Sequence, residues 1–385
     1  MKAYEFLEPS TIIYGENALE KATDKIKRLG KKALVVSDKV MTEIGNVKKV
    51  TDILEKQKIK SILYNEVNTE PEDNFVRRGA EIYKNNSCDF LIALGGGSPI
   101  DTAKAIGAIV TNSGEIAHYM GIGKISKALP PLVAIPTTAG TGSEVTRFTI
   151  ISDTTNNVKM LIGSEYLIPR IAIVDPMFTI TMPAKTTAAT GIDALTHAIE
   201  AYTSVKHQPL SDIMALSAIK RIARYLSRSW SNSSDIEAKS EMMLAAMEAG
   251  IAFNNSSVTI VHGMSRPIGA LFHVPHGISN AVLLATCMKF AIMGTPERFA
   301  DVSKAMGVNT GDLSSLDAAK KGVLAVQELC DDVEIPTITG LGIDADEFMA
   351  KADKMASDAL ASGSPNNTVR IPTKEQIIEL YKNSL

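Results

Sequence analysis

Cysteine is scarce in this 385-residue chain. Only Cys88, Cys287 and Cys330 occur, an odd number at wide separations and with no C-x-x-C spacing. That excludes a disulfide framework and points to a reducing cytoplasm. Cys88 and Cys287 lie in apolar surroundings and read as small buried hydrophobes. A dominant charge is lacking too. The chain carries 40 basic and 43 acidic residues, a net charge of −3. Such balance argues against nucleic acid or an anionic membrane as the main partner. Short basic clusters such as 25–28 sit on a helical pattern and read as solvated faces. No stretch of about 18 apolar residues is evident, so no membrane span is expected. The opening MKAYEFLEPSTIIYG shows no apolar segment behind a basic one, so it does not read as a signal peptide. Internal repeats and low-complexity tracts are missing as well.

What is present is ordinary for a globular protein: 45% hydrophobic and 22% charged residues. The length favours two domains. Up to about residue 184, short β-branched runs alternate with helical segments. Strands are expected at Thr11–Tyr14, 33–37, Lys60–Tyr64, 90–94, 132–135 and Ile171–Val174. Helices are expected at 18–29, 47–58, 74–85 and 99–110. This alternation indicates a mostly parallel sheet with helices on both faces, a Rossmann-like α/β domain over 1–184. Segments 148–152 and 158–162 read as a hairpin around the turn 153–157. After Pro183 the strand signal nearly vanishes. Segments 210–226 and 238–254 are rich in Ala, Met, Leu and Glu, so 185–385 reads as an all-helical domain. Gly/Pro-rich stretches at 262–277, 294–296 and 335–342 are expected to interrupt its helices. The hinge is placed at 175–185, between Pro176 and Pro183, with a ligand cleft expected between the halves.

Two turns are rich in backbone donors. The run 90–94 is followed by Gly95-Gly96-Gly97-Ser98 and then Pro99. Glycine lets the backbone approach a ligand closely, Ser98 suits an N-cap and Pro99 the first helical position. Free N–H groups at a helix start attract an anion such as a pyrophosphate. The alternative is a plain tight turn, and neither G-x-G-x-x-G nor a P-loop is present. A second turn, 136–146, carries Thr137, Thr138, Thr141 and two glycines at the same sheet edge. Asp38 ends the strand at 33–37. A carboxylate there can accept hydrogen bonds from an adenosine ribose and repel a 2′-phosphate, favouring NAD over NADP. Equally, it can serve as an ordinary helix N-cap.

Asp193 and His197 stand four apart in a helical segment, which places both on one face. His262 and His276 bracket the first Gly/Pro-rich stretch. One carboxylate with three imidazoles suits Fe(II) or Zn(II) rather than Ca or Mg. Taken one at a time, a helical histidine is more often a packed residue, and an i, i+4 Asp/His pair can be a simple hydrogen bond.

Together, the segments 95–104, 136–146, 189–200 and 262–277 resemble the iron-containing (group III) alcohol dehydrogenase family over nearly the whole chain. The resemblance implies an N-terminal Rossmann-like domain and a helical C-terminal domain, an architecture shared with dehydroquinate synthase. It implies metal ligands at Asp193, His197, His262 and His276. It also implies dinucleotide contacts at Gly96, Gly97, Ser98, Thr137, Thr138, Thr141 and Lys159, with Asp38 at the ribose and Asp101 ordering the first motif. A homodimer or larger homo-oligomer is expected. The expected reaction is hydride transfer between NAD(H) and a small primary alcohol, diol or hydroxy acid, or the matching aldehyde. Four protein ligands favour Fe(II), because zinc so bound is more often a closed structural site.

The chain departs from the family at one position. Many members have a histidine four residues after the third ligand, where this chain has Arg266. Arginine does not titrate near neutral pH, so a proton-handling role does not carry over. His273 is the nearby substitute, with a structural role as the alternative. Arg266 itself either receives an anionic substrate tail or pairs with an acidic neighbour. The competing assignments are a glycerol-dehydrogenase-like enzyme, a dehydroquinate-synthase-like lyase and a non-catalytic nucleotide-binding protein. The lyase would need a cluster of basic residues for a polyanionic substrate, and none is seen.

Overall fold

The buried apolar runs of the first half form the strands of a single sheet. The structure is a computed structural model and describes residues 2–156 and 158–385. It divides into two compact units. One comprises Leu7–Met182; the other comprises Pro183–Leu385 and the short N-terminal segment ending at Phe6.

In the first unit the strands are β1 (Thr11–Tyr14), β2 (Lys32–Val36), β3 (Lys60–Tyr64), β4 (Phe90–Gly95), β5 (Gly121–Ile122), β6 (Leu132–Pro136), β7 (Phe148–Asp153), β8 (Val158–Gly163) and β9 (Ile171–Val174). The helices are α1 (Ala18–Lys21), α2 (Thr23–Lys27), α3 (Lys39–Glu43), α4 (Asn46–Lys56), α5 (Asp73–Asn85) and α6 (Gly97–Thr111). Six strands form one parallel sheet in the order β1-β9-β6-β4-β2-β3. Alternate residues of its central strands feed two separate cores. Leu34, Val36, Leu91 and Ala93 enter one, and Ala33, Val35, Ile92 and Leu94 the other. That two-sided burial is why these strands read as continuous apolar runs.

The chain runs from β2 to β3, then returns to place β4 on the other side of β2. The carboxyl ends of β2 and β4 therefore flank a topological switch point, where open α/β sheets bind ligands. The Ser37 hydroxyl, just past β2, donates to the Leu94 carbonyl at 2.8 Å and ties those two ends together. Strands β7 and β8 pair antiparallel as expected, in a second sheet ordered β5-β8-β7. Part of the expected turn, at Asn157, lies outside the described residues.

Two expectations need correction here. The single helix at 18–29 is two short ones, because the Ala22 N–H is shared between the Ala18 and Leu19 carbonyls, a tightened step that divides the run. Helix α6 begins at Gly97 with Gly96 as its N-cap, so Ser98 and Pro99 lie inside the first turn. Glycine takes the helical dihedrals at Gly97, and no side chain caps this end.

The second unit is helical: α7 (Ala184–Thr203), α8 (Pro209–Ser231), α9 (Ile236–Ser256), α10 (Ile260–Phe272), α11 (His276–Ala291), α12 (Pro296–Ala305), α13 (Ser315–Asp332), α14 (Ala345–Ala350), α15 (Ala352–Ala361) and α16 (Lys374–Lys382). Helices α7, α8 and α9 pack on one another, and α11 packs on α7 and α10. The break expected in 262–277 is confined to 273–275, between α10 and α11. Most of the stretch is α10, which carries Pro267 in its interior. The helix ends where His273 takes a left-handed conformation, φ 55°. Contrary to expectation, one stretch, His276–Gly294, is long and apolar enough to cross a membrane by composition. More than half of it is buried inside the protein, and it begins at a candidate ligand.

Candidate functional site

Three helices of the second unit bring the candidate ligands together. Asp193 and His197 lie on α7, His262 on α10 and His276 at the first position of α11. Asp193, His262 and His276 offer ligand atoms that all lie within 4.8 Å of one another. The Asp193 Oδ1 is 3.8 Å from Nε2 of both His262 and His276. The His197 ring lies alongside, stacked on Phe253 at 4.2 Å and on His262 at 4.5 Å between centroids. Asp193, His197 and His262 are buried, whereas the His276 side chain is 43% exposed, so the centre opens to solvent on that side.

The carboxylate of Glu200 orients His262. Its Oε2 lies 2.6 Å from the His262 Nδ1, while its Oε1 accepts from the Thr259 hydroxyl and the Val261 N–H. With Nδ1–H committed to Glu200, the lone pair of Nε2 faces Asp193 and His276. Burial holds the His262 pKa well below the usual histidine value, reinforced by His197 and His276, so the ring is neutral. Burial pushes Asp193 up, but His197, His276, His262 and Asn280 outweigh it and hold its carboxyl below the ordinary value.

Asn280, one turn beyond His276 on α11, fills the focus of these groups. Its Nδ2 lies 2.7 Å from Asp193 Oδ1, 3.1 Å from His262 Nε2 and 3.2 Å from His276 Nε2. Three acceptors thus converge on an amide with two hydrogens. The buried Asn280 Oδ1 has no hydrogen-bond partner. A divalent cation would satisfy the converging lone pairs fully, and a carboxylate with imidazoles is a transition-metal donor set. The residues fit a metal.

In the first unit the two donor-rich loops meet at the carboxyl ends of β4 and β6. The Thr137 N–H donates to the Gly95 carbonyl at 3.0 Å. Gly95 has φ +154°, and a Cβ there would strike Pro99 at 2.5 Å, so glycine is required. A Cβ on Gly97 would come within 3.1 Å of Thr141, and one on Gly96 within 3.5 Å of Thr138. The uncapped start of α6 leaves its first N–H groups free for an anion. Asp38 caps α3, with Oδ1 accepting from the Met41 N–H at 2.8 Å. Lys159 lies on β8 in an ion pair with Glu70 at 2.6 Å.

Asp101 fastens the second loop to α6. It accepts from the Ser143 hydroxyl at 2.5 Å and the Ile150 N–H at 2.9 Å. Lys104, also buried, donates to the Thr146 and Phe148 carbonyls at 2.9 and 2.8 Å. Burial lowers the Lys104 pKa to about 8, against the pull of Asp101 and Glu144. Burial likewise raises Glu144 to about 7.

Comparison with known proteins decides what this pair of sites represents. The family model for iron-containing alcohol dehydrogenase matches residues 9–176, and that for the C-terminal part of the Fe-containing alcohol dehydrogenase family matches 187–385. This chain belongs to the iron-containing alcohol dehydrogenase family. It is 38% identical to 1,3-propanediol dehydrogenase of Citrobacter freundii, covering 100% of this chain and 99% of that protein. It is also 38% identical to lactaldehyde reductase of Escherichia coli (strain K12), covering 96% and 97%. A crystal structure of 1,3-propanediol oxidoreductase superimposes with a TM-score of 0.97 at 37% identity, covering all of both chains. The alcohol dehydrogenase from Oenococcus oeni gives 0.96 at 36% identity, again over both chains entirely.

Two residues of this family member were not expected from its sequence, Glu200 and Asn280. Helical spacing was the available signal. Glu200 is seven residues after Asp193 on α7 and Asn280 four after His276 on α11, each on its ligand's face. His273 sits exposed at the end of α10, three residues before His276.

Proposed function

We propose that the protein is an NAD-dependent, Fe(II)-requiring alcohol dehydrogenase and aldehyde reductase acting on small primary alcohols, diols or hydroxy acids. The convergence of Asp193, His262 and His276 on one point, with Glu200 fixing the His262 tautomer, carries this reading. Relatives named for 1,3-propanediol, methanol and lactaldehyde support the substrate range.

Asp193, His197, His262 and His276 would hold the ion. When bound, the ion supplies Lewis acidity toward an alcohol or carbonyl oxygen, and the dinucleotide accepts or supplies hydride. The chain's own residues do the positioning. Glu200 keeps Nε2 of His262 unprotonated and aimed at the centre. Gly96, Gly97 and Ser98 at the start of α6, with Thr137, Thr138 and Thr141, offer donors to a pyrophosphate. Asp101 and Lys104 hold those loops in place. Asp38 sits at the end of β2 beside the switch point, where a ribose binds in such sheets. Lys159 completes the assigned dinucleotide set. Proton exchange with water is assigned to His273, the exposed imidazole nearest His276 in sequence. Three buried free cysteines suit a reducing cytoplasm, and a homodimer or larger assembly is inferred from the family.

Anaerobic purification with metal quantification, followed by NADH absorbance with short aldehydes, alcohols and diols, tests the assignment. Turnover restored by Fe(II) is the expected result. Bound metal with no turnover on any of these compounds would overturn it.

A further inference from the structure

Among the described residues Arg266 has neither a paired carboxylate nor an aromatic ring against it, whereas part-buried Arg147 lies over the Phe148 ring at 5.3 Å. Arg221 faces Glu241 and Glu248, and Arg298 faces Asp212. Arg370 lies over the Phe290 ring at 4.0 Å. The Arg266 guanidinium makes one hydrogen bond, from Nη1 to the Ser364 hydroxyl at 3.2 Å. Among the described residues no carboxylate is paired with it. Direct hydrogen-bonded pairing with an acidic neighbour, which would make this arginine merely structural, is therefore not seen.

Glu200 is the anion that acts on Arg266 electrostatically. Both of its oxygens are already engaged, by His262, Thr259 and Val261. It cannot turn to Arg266 without releasing the His262 ring. A desolvated guanidinium with one neutral partner is costly, and a carboxylate with fork geometry is its natural complement. Arg266 lies four residues after His262 on α10, which puts it on the same face, one turn from that ligand. One turn is about 5.4 Å, roughly the reach of a three- or four-carbon chain.

We infer that Arg266 receives the carboxylate of the substrate, and that the preferred substrates are short ω-hydroxy acids and their semialdehydes. The inference rests on the oxidoreductase reading above and narrows its substrate class. The reacting oxygen sits at the centre built by Asp193, His262 and His276. The far carboxylate takes the fork of Arg266, with the Ser364 hydroxyl beside it. A neutral alcohol of equal length leaves the guanidinium without a hydrogen-bonded counter-charge.

Matched pairs of substrates test this in the Fe(II)-restored enzyme: 4-hydroxybutyrate against 1-butanol, and succinic semialdehyde against butanal. Wild type is expected to favour the anionic member in kcat/KM by roughly 10- to 100-fold, the scale of a hydrogen bond to a charged group. Arg266→Gln is expected to collapse that ratio toward one, mainly through KM, and Arg266→Lys to keep part of it. Butyrate binding to the metal-free protein, followed by calorimetry, gives a second readout and should be lost in Arg266→Gln. A wild type that prefers the neutral member overturns the inference, even if the variants fail to fold. Turnover of neutral alcohols with no anion preference sinks Arg266 alone and leaves the dehydrogenase reading standing. If neither class turns over, the dehydrogenase reading falls, and butyrate binding still decides whether Arg266 forms an anion site.

Discussion

Glu200 and His262, 62 residues apart in sequence, meet in a 2.6 Å hydrogen bond that commits the imidazole to one tautomer. Partners of this kind orient a metal ligand and raise its basicity, and losing one costs about 10- to 100-fold in metal affinity. Glu200→Gln should weaken Fe(II) or Zn(II) binding by that amount, measured by competition with a chelator. His262→Ala should remove metal binding and turnover together while leaving NAD binding largely intact. Unchanged affinity in Glu200→Gln would mean that the packing around His262 fixes the ring without the carboxylate.

Asp38 caps α3, and the proposed function gives it a ribose to hold as well. The two roles separate by mutation. Asp38→Gly costs only a few tenths of a kcal/mol as a lost cap, because glycine is tolerated there. If the carboxylate also repels a 2′-phosphate, the same change should narrow the NAD over NADP preference by roughly tenfold. Paired kcat/KM values for the two cofactors check this. A preference that stays put would leave Asp38 a cap only.

Glu144 is buried and raised to about 7, so it makes stability depend on pH. Between about pH 4.5 and 7 the unfolded carboxyl ionises while the folded one keeps its proton. The unfolded state then binds fewer protons, and stability falls as pH rises through that window. The loss is on the order of 3 kcal/mol. Lys104 acts at the other end: with its folded pKa lowered to about 8, stability falls as pH drops from about 10.5 to 8 and is then constant. Glu144→Gln should match wild type near pH 4.5 and exceed it near pH 7.5 in urea denaturation. Parallel pH profiles for the two proteins would show that Glu144 is ionised in the folded state.

Much of this arrangement was legible in the sequence, for definite reasons. The four central strands of the large sheet, β2, β4, β6 and β9, are buried almost throughout, so each reads as a nearly unbroken apolar run between turn residues. The i, i+4 spacing of Asp193 and His197 showed a shared helix face without any knowledge of what opposes it. His262 and His276 opposite it came through the family resemblance, but the side chains that support them were not legible. Glu200 meets His262, and Asn280 meets Asp193, only because α7, α10 and α11 pack at particular rotations, which helical periodicity does not encode. Helix α10 was misread because Gly263, Pro267 and Gly269 resemble a loop. Gly263 in fact packs so close to Pro365 that a Cβ would come within 2.7 Å, so small size rather than flexibility accounts for it. Tertiary packing there overrides the cost of an interior proline.

Asn280 should matter most when the centre holds no ion. Its amide nitrogen is the donor shared by Asp193, His262 and His276. Removing it leaves three buried or half-buried acceptors facing one another with nothing between them, a loss of about 1–3 kcal/mol. A divalent ion held by Asp193, His262 and His276 would take over that duty and would stabilise the folded state further by mass action. Asn280→Ala is therefore expected to lower the stability of chelator-treated protein by about that amount, and to lower that of the Fe(II)-loaded protein by clearly less. Denaturant titrations under both conditions, run anaerobically, give the comparison. An equal loss in both states would mean that Asn280 contributes through packing of α11 and not by standing in for the cation.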